Sequence, residues 1–221
     1  ANQLNENENN KNRPYPGIDL RIKDTYIHFS KAQKTKLYDM YARFIRWASD
    51  RLNKNGVIAF VSNNSFIDAK TYDGFRKVVA EEFNEIYIID MKGNARTSGE
   101  RRRREGGNVF SDQIRVGIAI YFLIRKEKGD SCKIFYTCVD DYLKAADKKA
   151  YLRDNKFRDL QFDHIRPDKR HNWINIPEND WDECIPVASK SVKKAKDRIH
   201  AEAIFKLFSL GVVSARDEWV Y

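Results

Sequence analysis

The side chains best suited to hold a base or a phosphate gather in one stretch of this 221-residue chain, the residues from Arg101 to Lys126. Four consecutive arginines (Arg101, Arg102, Arg103 and Arg104) precede two glycines, an asparagine and an aromatic, Phe110. Guanidinium groups pair with phosphate oxygens, and each neutralised phosphate adds salt dependence to binding. An aromatic face replaces the stacking that an unpaired base has lost. Beyond Phe110, Arg115–Ile124 is a short apolar run with one Gly and no Pro, the pattern of a strand buried on both faces. A cationic loop that delivers an aromatic to the start of a central strand suits a surface that receives a nucleic-acid base. The plain alternative is a solvated loop in which Phe110 caps the core.

Three further groups have suitable chemistry. Asn63, Asn64 and Ser65 follow an apolar run, where polar side chains meet substrate or simply cap a turn. Tyr41 and Phe44 lie on a helical repeat and line a pocket or, falling on its inner face, pack into the core. Arg96 stands ahead of the arginine run, and Lys193, Lys194, Lys196 and Arg198 form a second basic cluster, SKSVKKAKDR, suited to a phosphate backbone or to plain solvation. The three cysteines and four scattered histidines show no metal-ligand spacing, so no metal site is expected and a reducing compartment fits.

The elements that must position these groups follow from periodicity. Residues 1–24 are Asn-rich, with Pro14, Pro16 and Gly17 as breakers, and read as a flexible loop. From Lys36 to Asn53, Leu37, Tyr41, Phe44, Ala48 and Leu52 recur at helical spacing, with Asn55-Gly56 ending the helix. Val57–Ser62 reads as a buried parallel strand, Tyr72–Phe83 as a second helix and Glu85–Asp90 as the next strand. This alternation is an α/β pattern, whose functional residues sit at the carboxyl ends of strands. No helix is expected in Met91–Val109, so Arg115–Ile124 should run antiparallel to Glu85–Asp90. Cys132–Val139 reads as a strand, Asp140–Lys149 as a short helix and Ala203–Leu210 as another. The texture changes after Tyr151, which places a boundary near residue 155 and a second unit over 155–221.

Composition narrows the partners. Hydrophobic residues make up 42% and aromatics 13%, enough for a packed core. Lys and Arg outnumber Asp and Glu by 41 to 32, a net charge of +9 that favours a polyanion, nucleic acid before a membrane surface. No apolar stretch approaches the ~20 residues of a spanning helix, and no apolar signal core opens the chain, so no membrane partner is expected and the cytoplasm is the expected location. The chain opens without Met in what reads as mid-loop, as a piece of a longer protein would.

Five blocks in order carry a resemblance: DMYARFIRWASDRL (Asp39–Leu52), GVIAFVSNNSFID (Gly56–Asp68), DGFRKVVAEEFNEIYIIDMKGNAR (Asp73–Arg96), NVFSDQIRVGIAIYFLIR (Asn108–Arg125) and IFKLFSLGVVSARDEW (Ile204–Trp219). Together they resemble the C-terminal half of an amino-group DNA adenine methyltransferase domain, as found in type ISP restriction-modification enzymes that fuse a helicase to the methyltransferase. The resemblance implies an α/β fold: the C-terminal half of a Rossmann-like S-adenosylmethionine-dependent methyltransferase sheet, mixed with one antiparallel strand, plus the start of a second domain. It implies a catalytic-domain half over 25–154 and the opening of a target-recognition domain over 155–221. The family's Gly-rich cofactor turn and its Asn-Pro-Pro-Tyr motif would lie upstream of Ala1, and Arg13-Pro14-Tyr15-Pro16 is not that motif. No catalytic residue is therefore expected within the chain. The chain alone is expected to be inactive and to bind no S-adenosylmethionine, which belongs to the intact enzyme. The implied partners are duplex DNA, reached by base flipping, and the missing N-terminal half of the polypeptide. Phe110 matches the family's stacking aromatic. No phosphate-cradling Gly loop or paired-carboxylate nuclease site is present, so helicase and nuclease chemistry are not encoded here. A non-catalytic basic module that binds nucleic acid, and an interaction domain without nucleic acid, are the competing readings.

Overall fold

A computed structural model gives the architecture, describing residues 14–30, 37–129, 131–176, 183–194 and 202–207. The chain divides into two compact units, Ala1–Ile176 and Pro177–Tyr221. The first holds helices α1 (Pro16–Ile22), α2 (Met40–Arg51), α3 (Asp73–Glu82), α4 (Gly99–Glu105) and α5 (Ala145–Asp154). Its strands β1 (Gly56–Asn63), β2 (Glu85–Asp90), β3 (Ile118–Arg125), β4 (Lys133–Cys138) and β5 (Asp163–Ile165) form one mixed sheet in the order β1-β3-β2-β4-β5.

β3 is the hub. It pairs antiparallel with β1 on one side and with β2 on the other, aligning Ile58, Leu123 and Ile86 across three strands. β4 joins β2 in parallel, and the short β5 returns antiparallel to β4. The alternation of β3 supplies both faces. Tyr121 and Leu123 enter a large core with Ile45, Phe66, Phe75, Val79 and Ile86, covered by α2 and α3. Ile118 enters a second, smaller core with Ile89, Met91, Val109 and Val139, against which Ile120 and Phe122 pack.

Several expectations are corrected. β1 is not a buried parallel strand: among the described residues its only ladder is the antiparallel one with β3, and Val57 and Val61 are more than half exposed. Residues 16–22 are not a loop but helix α1, because Pro16 stands at its first turn, where a missing N–H costs nothing, and a π-helical turn over Lys23–Ile27 continues it. The Met91–Val109 excursion contains a helix, α4, in which the four arginines lie. Phe44 does not face the core. Arg43 and Arg46 take that side of α2 instead, because Asp19 holds the first (2.7 and 3.0 Å) and Glu82 with Asp50 the second (2.8–3.0 Å). Paired guanidiniums tolerate burial, and their stems pack as hydrocarbon.

The first unit runs past residue 155, since β5 extends the sheet and Trp173 is buried in the large core. In the second unit α6 (Lys190–Lys194) is short. A parallel bridge joins Ala188 to Phe205, so the described part of Ala203–Leu210 is extended rather than helical.

Candidate functional site

The register of β1 and β3 sets Asn63 beside Ile118, so the carboxyl end of β1 and the loop entering β3 share one end of the sheet. Phe110 sits in that loop. Asn108 is buried and fixes the loop from inside: its Nδ2 donates to the Val116 carbonyl (2.8 Å), and its Oδ1 accepts the Phe110 N–H (3.1 Å). Val109 enters the smaller core, so the next side chain, Phe110, points out and is 57% exposed. Exposure of a large aromatic beside a buried Asn and a buried Val is a presented ring, not a core cap.

Backbone chemistry holds the loop. Gly106 has φ +64, and a Cβ there would lie 2.1 Å from the Leu143 carbonyl, so only glycine fits. Lys148, fully buried on α5, donates from Nζ to the carbonyls of Met91 (2.7 Å) and Glu105 (2.8 Å). It thereby ties the start of the excursion after β2 to the end of α4. Burial pushes its ammonium down to about 8.

Asn63, Asn64 and Ser65 prove mainly structural. The Asn63 Oδ1 accepts the Ser65 N–H (2.8 Å) and the Ser65 hydroxyl (2.7 Å), which starts a 3-10 turn over Asn64–Phe66. The Asn64 Nδ2 donates to the buried Asp90 carboxylate at the end of β2 (2.9 Å). The same carboxylate accepts the Lys92 N–H (2.8 Å) and the Tyr136 hydroxyl (3.1 Å). Burial pushes the Asp90 carboxyl above its ordinary range, although all three donors pull the other way. Asn64 also abuts Gly117, where a Cβ would meet its amide at 2.4 Å. One buried acid thus joins the ends of β1, β2 and β4, and Asn64 carries that link to the entry of β3. Asn108 and Lys148 escaped the sequence reading, whereas Asp90 fell within a candidate stretch, Asp90–Asn94, at the carboxyl end of a strand.

Tyr41 and Phe44 part company. Tyr41 packs against the large core with its ring stacked on Tyr72 at 5.8 Å, and burial drives its hydroxyl pKa far up. Phe44 is 52% exposed and lines an apolar groove of about 230 Å³ with Tyr15, Ile18, Met40 and Trp47. The two do not line one pocket.

Arg101, Arg103 and Arg104 are exposed along α4, on the excursion that leads to Phe110. Their carboxylate contacts are loose: Arg101 with Asp68 at 3.5 Å, Arg103 with Glu100 at 3.3 Å, Arg104 with Glu100 and Asp141 at 3.9 Å. Exposed pairs this long contribute little and leave the charges available to a polyanion. Arg102 donates to the Gly106 carbonyl (2.8 Å) and caps its own helix. Arg96 is exposed, and its backbone N–H is held by the Asn94 side chain. In the other unit Lys193 and Lys194 are exposed on α6, whereas Lys196 and Arg198 lie outside the described residues. Among the described residues no three His, Cys, Asp or Glu come together as metal ligands, and no helix is long and apolar enough to cross a membrane.

Comparison with known proteins supplies the frame. The model of the Eco57I restriction-modification methylase family matches residues 6–96. A cryoEM structure of a DrdV-DNA complex shares 61% identity over 99% of this chain, with a TM-score of 0.86, and this chain spans 22% of that one. A nuclease-deletion mutant of the Type ISP restriction-modification enzyme LlaGI, in complex with a DNA substrate mimic, shares 41% identity over 86% of this chain and 18% of its own, with a TM-score of 0.81. The ATP-dependent Type ISP enzyme LlaBIII bound to DNA shares 32% identity over 92% of this chain and 13% of its own, with a TM-score of 0.78. No curated protein matches. The chain therefore spans about a fifth or less of these solved relatives. Its mixed sheet, the family match and these likenesses agree, and the chain belongs to the methyltransferase region of restriction-modification enzymes.

Proposed function

We propose that this chain is the base-receiving half of a DNA adenine methyltransferase, which in the intact enzyme transfers a methyl group from S-adenosylmethionine to the amino group of an adenine flipped from duplex DNA. The carrying observation is Phe110, an exposed ring fixed from below by Asn108 and Val109 at the mouth of the central strand. Reaching the amino group inside a duplex requires extruding the base, and a held aromatic recovers part of the lost stacking. Arg96 and the exposed arginines of α4 take the flanking phosphates, and Lys193, Lys194 and Lys196 serve the same end as target recognition begins.

Among the described residues, the candidates for a methyl-donor cradle are engaged elsewhere. The amide of Asn64 is spent on Asp90, the carbonyl of Asn63 caps its own turn, and Tyr41 packs into the core. The donor therefore belongs with upstream residues, as does the motif that accepts the adenine amine. The open flank of β1, with Val57 and Val61 exposed, suits the remaining strands of the sheet. The chain alone is accordingly inactive. This chain's own part is to bind DNA, to stack the base and to hold the loop that does so.

The test uses the intact enzyme. Phe110→Ala should lower methylation of unmodified plasmid DNA by ~5- to 150-fold, the equivalent of ~1–3 kcal/mol of stacking, while S-adenosylmethionine affinity stays unchanged. Equal loss of both, or of neither, would overturn the assignment.

A further inference from the structure

Tyr142, in the turn that leads from β4 to α5, is a large aromatic held at φ +66. Such a residue adopts that conformation only where its surroundings impose it. Backbone bonds impose it here: the Tyr142 N–H donates to the Arg104 carbonyl (3.0 Å), and the Leu143 carbonyl accepts the Gly107 N–H (3.0 Å). The turn is thereby fastened to the last turn of α4 and to the start of the loop that presents Phe110. The ring itself is 56% exposed, and its hydroxyl reaches back along α4 to donate to Glu100 Oε1 (2.6 Å). That bond raises the hydroxyl above the ordinary tyrosine value, with Arg104 pulling the other way, so the oxygen keeps its proton as a donor.

Glu100 gathers the donors that a phosphate would take. Tyr142 and Arg104 (3.9 Å) approach its Oε1, and the Arg103 Nη1 stands 3.3 Å from its Oε2. A hydroxyl and two guanidiniums around the two oxygens of one anion also suit the two free oxygens of a phosphodiester. The other carboxylates around α4 have different commitments. Asp141 accepts the Nζ of Lys92 (2.6 Å), a largely buried lysine itself at φ +52, and Arg104 comes no nearer to it than 3.9 Å. Glu105 accepts the Asn94 N–H (2.9 Å), and Asp68 faces Arg101 (3.5 Å). Glu100 is half exposed, and exposed contacts of this kind contribute little, so a polyanion can displace it. No excess of positive charge is required, because one anion exchanges for another.

We propose that Tyr142, Arg103 and Arg104 form a phosphate site for duplex DNA, which the Glu100 carboxylate occupies until the duplex displaces it. The proposal rests on the DNA-binding reading given above and adds to it a contact residue, Tyr142, and a built-in competitor, Glu100. Because a phosphate contact carries no sequence information, the competitor weakens binding at every site alike.

Titrating the protein with a random-sequence fluorescent duplex tests it through a double-mutant cycle. Glu100→Ala should raise affinity by about 2- to 5-fold, the worth of an exposed ion pair, and Glu100→Gln should act in the same sense. In the otherwise unmutated protein, Tyr142→Phe should change affinity by less than about 2-fold, because its hydroxyl exchanges one anion for another. In the Glu100→Ala background the same substitution should cost about 2- to 10-fold, since the phosphate is then the anion its hydroxyl gains. Tyr142 of the unmutated protein should also lose reactivity towards a nitrating reagent when the duplex is bound. Affinity unchanged or lowered by both Glu100 variants excludes the competitor. Tyr142→Phe silent in both backgrounds, or a ring that stays reactive in the complex, excludes the contact. Either result leaves the DNA reading intact if Arg103→Gln/Arg104→Gln lowers the slope of log affinity against log salt. Absence of salt-dependent binding by the unmutated protein overturns both. Protection by inorganic phosphate as complete as by duplex identifies a small-anion site and overturns the duplex assignment.

Discussion

Lys148→Met removes a charge that the fold buries completely and that, among the described residues, donates to no carboxylate. Burial brings the ammonium from 10.5 to about 8, which corresponds to about 3 kcal/mol held against the charged form. The unfolded chain keeps this proton up to about pH 10.5, whereas the folded chain releases it near 8. Between those values the unfolded state binds more protons, so this group makes stability rise with pH, by up to about 1.4 kcal/mol per unit. Methionine cannot titrate, so that rise vanishes in the variant. At pH 7 two effects oppose. The variant is spared the desolvation cost but leaves the Met91 carbonyl without the Lys148 donor, and the Glu105 carbonyl with the Gly93 N–H at 3.0 Å. An unmade buried hydrogen bond costs ~1–3 kcal/mol, so the net change at pH 7 should stay within about 2 kcal/mol. Urea melts of both proteins from pH 7 to 10 read the effect directly, and the difference between them cancels the tyrosines that titrate higher. Wild type should gain on the variant as pH rises. A wild-type stability that stays constant relative to the variant, or falls relative to it, as pH rises would refute the claim that Lys148 is buried charged at neutral pH. Amide exchange at Gly93 should also quicken in the variant, because the loop that presents Phe110 has lost its pin.

Other perturbations separate structure from surface. Arg76→Met should destabilise by ~3 kcal/mol or more, since it takes the Arg76 donor from the His171 and Phe66 carbonyls and the Asn172 amide oxygen, the Ala69 carbonyl keeping the Tyr72 N–H at 3.0 Å, whereas Arg103→Met on exposed α4 should change stability by less than ~0.5 kcal/mol. Thermal melts giving equal losses would contradict this contrast. For Asp90 the folded carboxyl holds its proton to higher pH than the unfolded one. Stability contributed by this group therefore falls as pH rises from about 4 through its raised value. Asp90→Asn keeps an acceptor for Asn64 and for the Lys92 N–H but cannot ionise, so wild type should lose ground to it across that window. A pH-independent difference would exclude a titrating Asp90.

Much of the scaffold was legible because the chain's periodicities are strong. The apolar run after Arg115 marked the central strand, and the lack of an intervening crossover long enough for a parallel return gave its antiparallel sense. The errors came where charge and hydrophobicity trade places. Two buried arginines on α2 displaced Phe44 from the core, because Asp19 and Glu82, remote in sequence, neutralise them. The arginines of α4 read as a loop, since six charged residues after a glycine show no apolar face, yet Tyr142 and Arg102 tie that helix to its surroundings. Trp173 read as part of a new unit, because nothing local reveals that it reaches back to Phe66 at 6.3 Å. At the site, Phe110 was visible as an aromatic in a glycine loop. Asn108 and Lys148, which hold it in place, act through backbone carbonyls 8 and 57 positions away, and Asp90 acts through the side chains of Asn64 and Tyr136, 26 and 46 positions away.

The most direct measurement is a structure of the intact enzyme with cognate DNA and a non-reactive analogue of the methyl donor. The target adenine should lie outside the duplex with its ring face on Phe110, at a separation of roughly 3.5–4 Å. An adenine still paired within the helix, or extruded onto a different side chain while Phe110 faces solvent, would contradict the account.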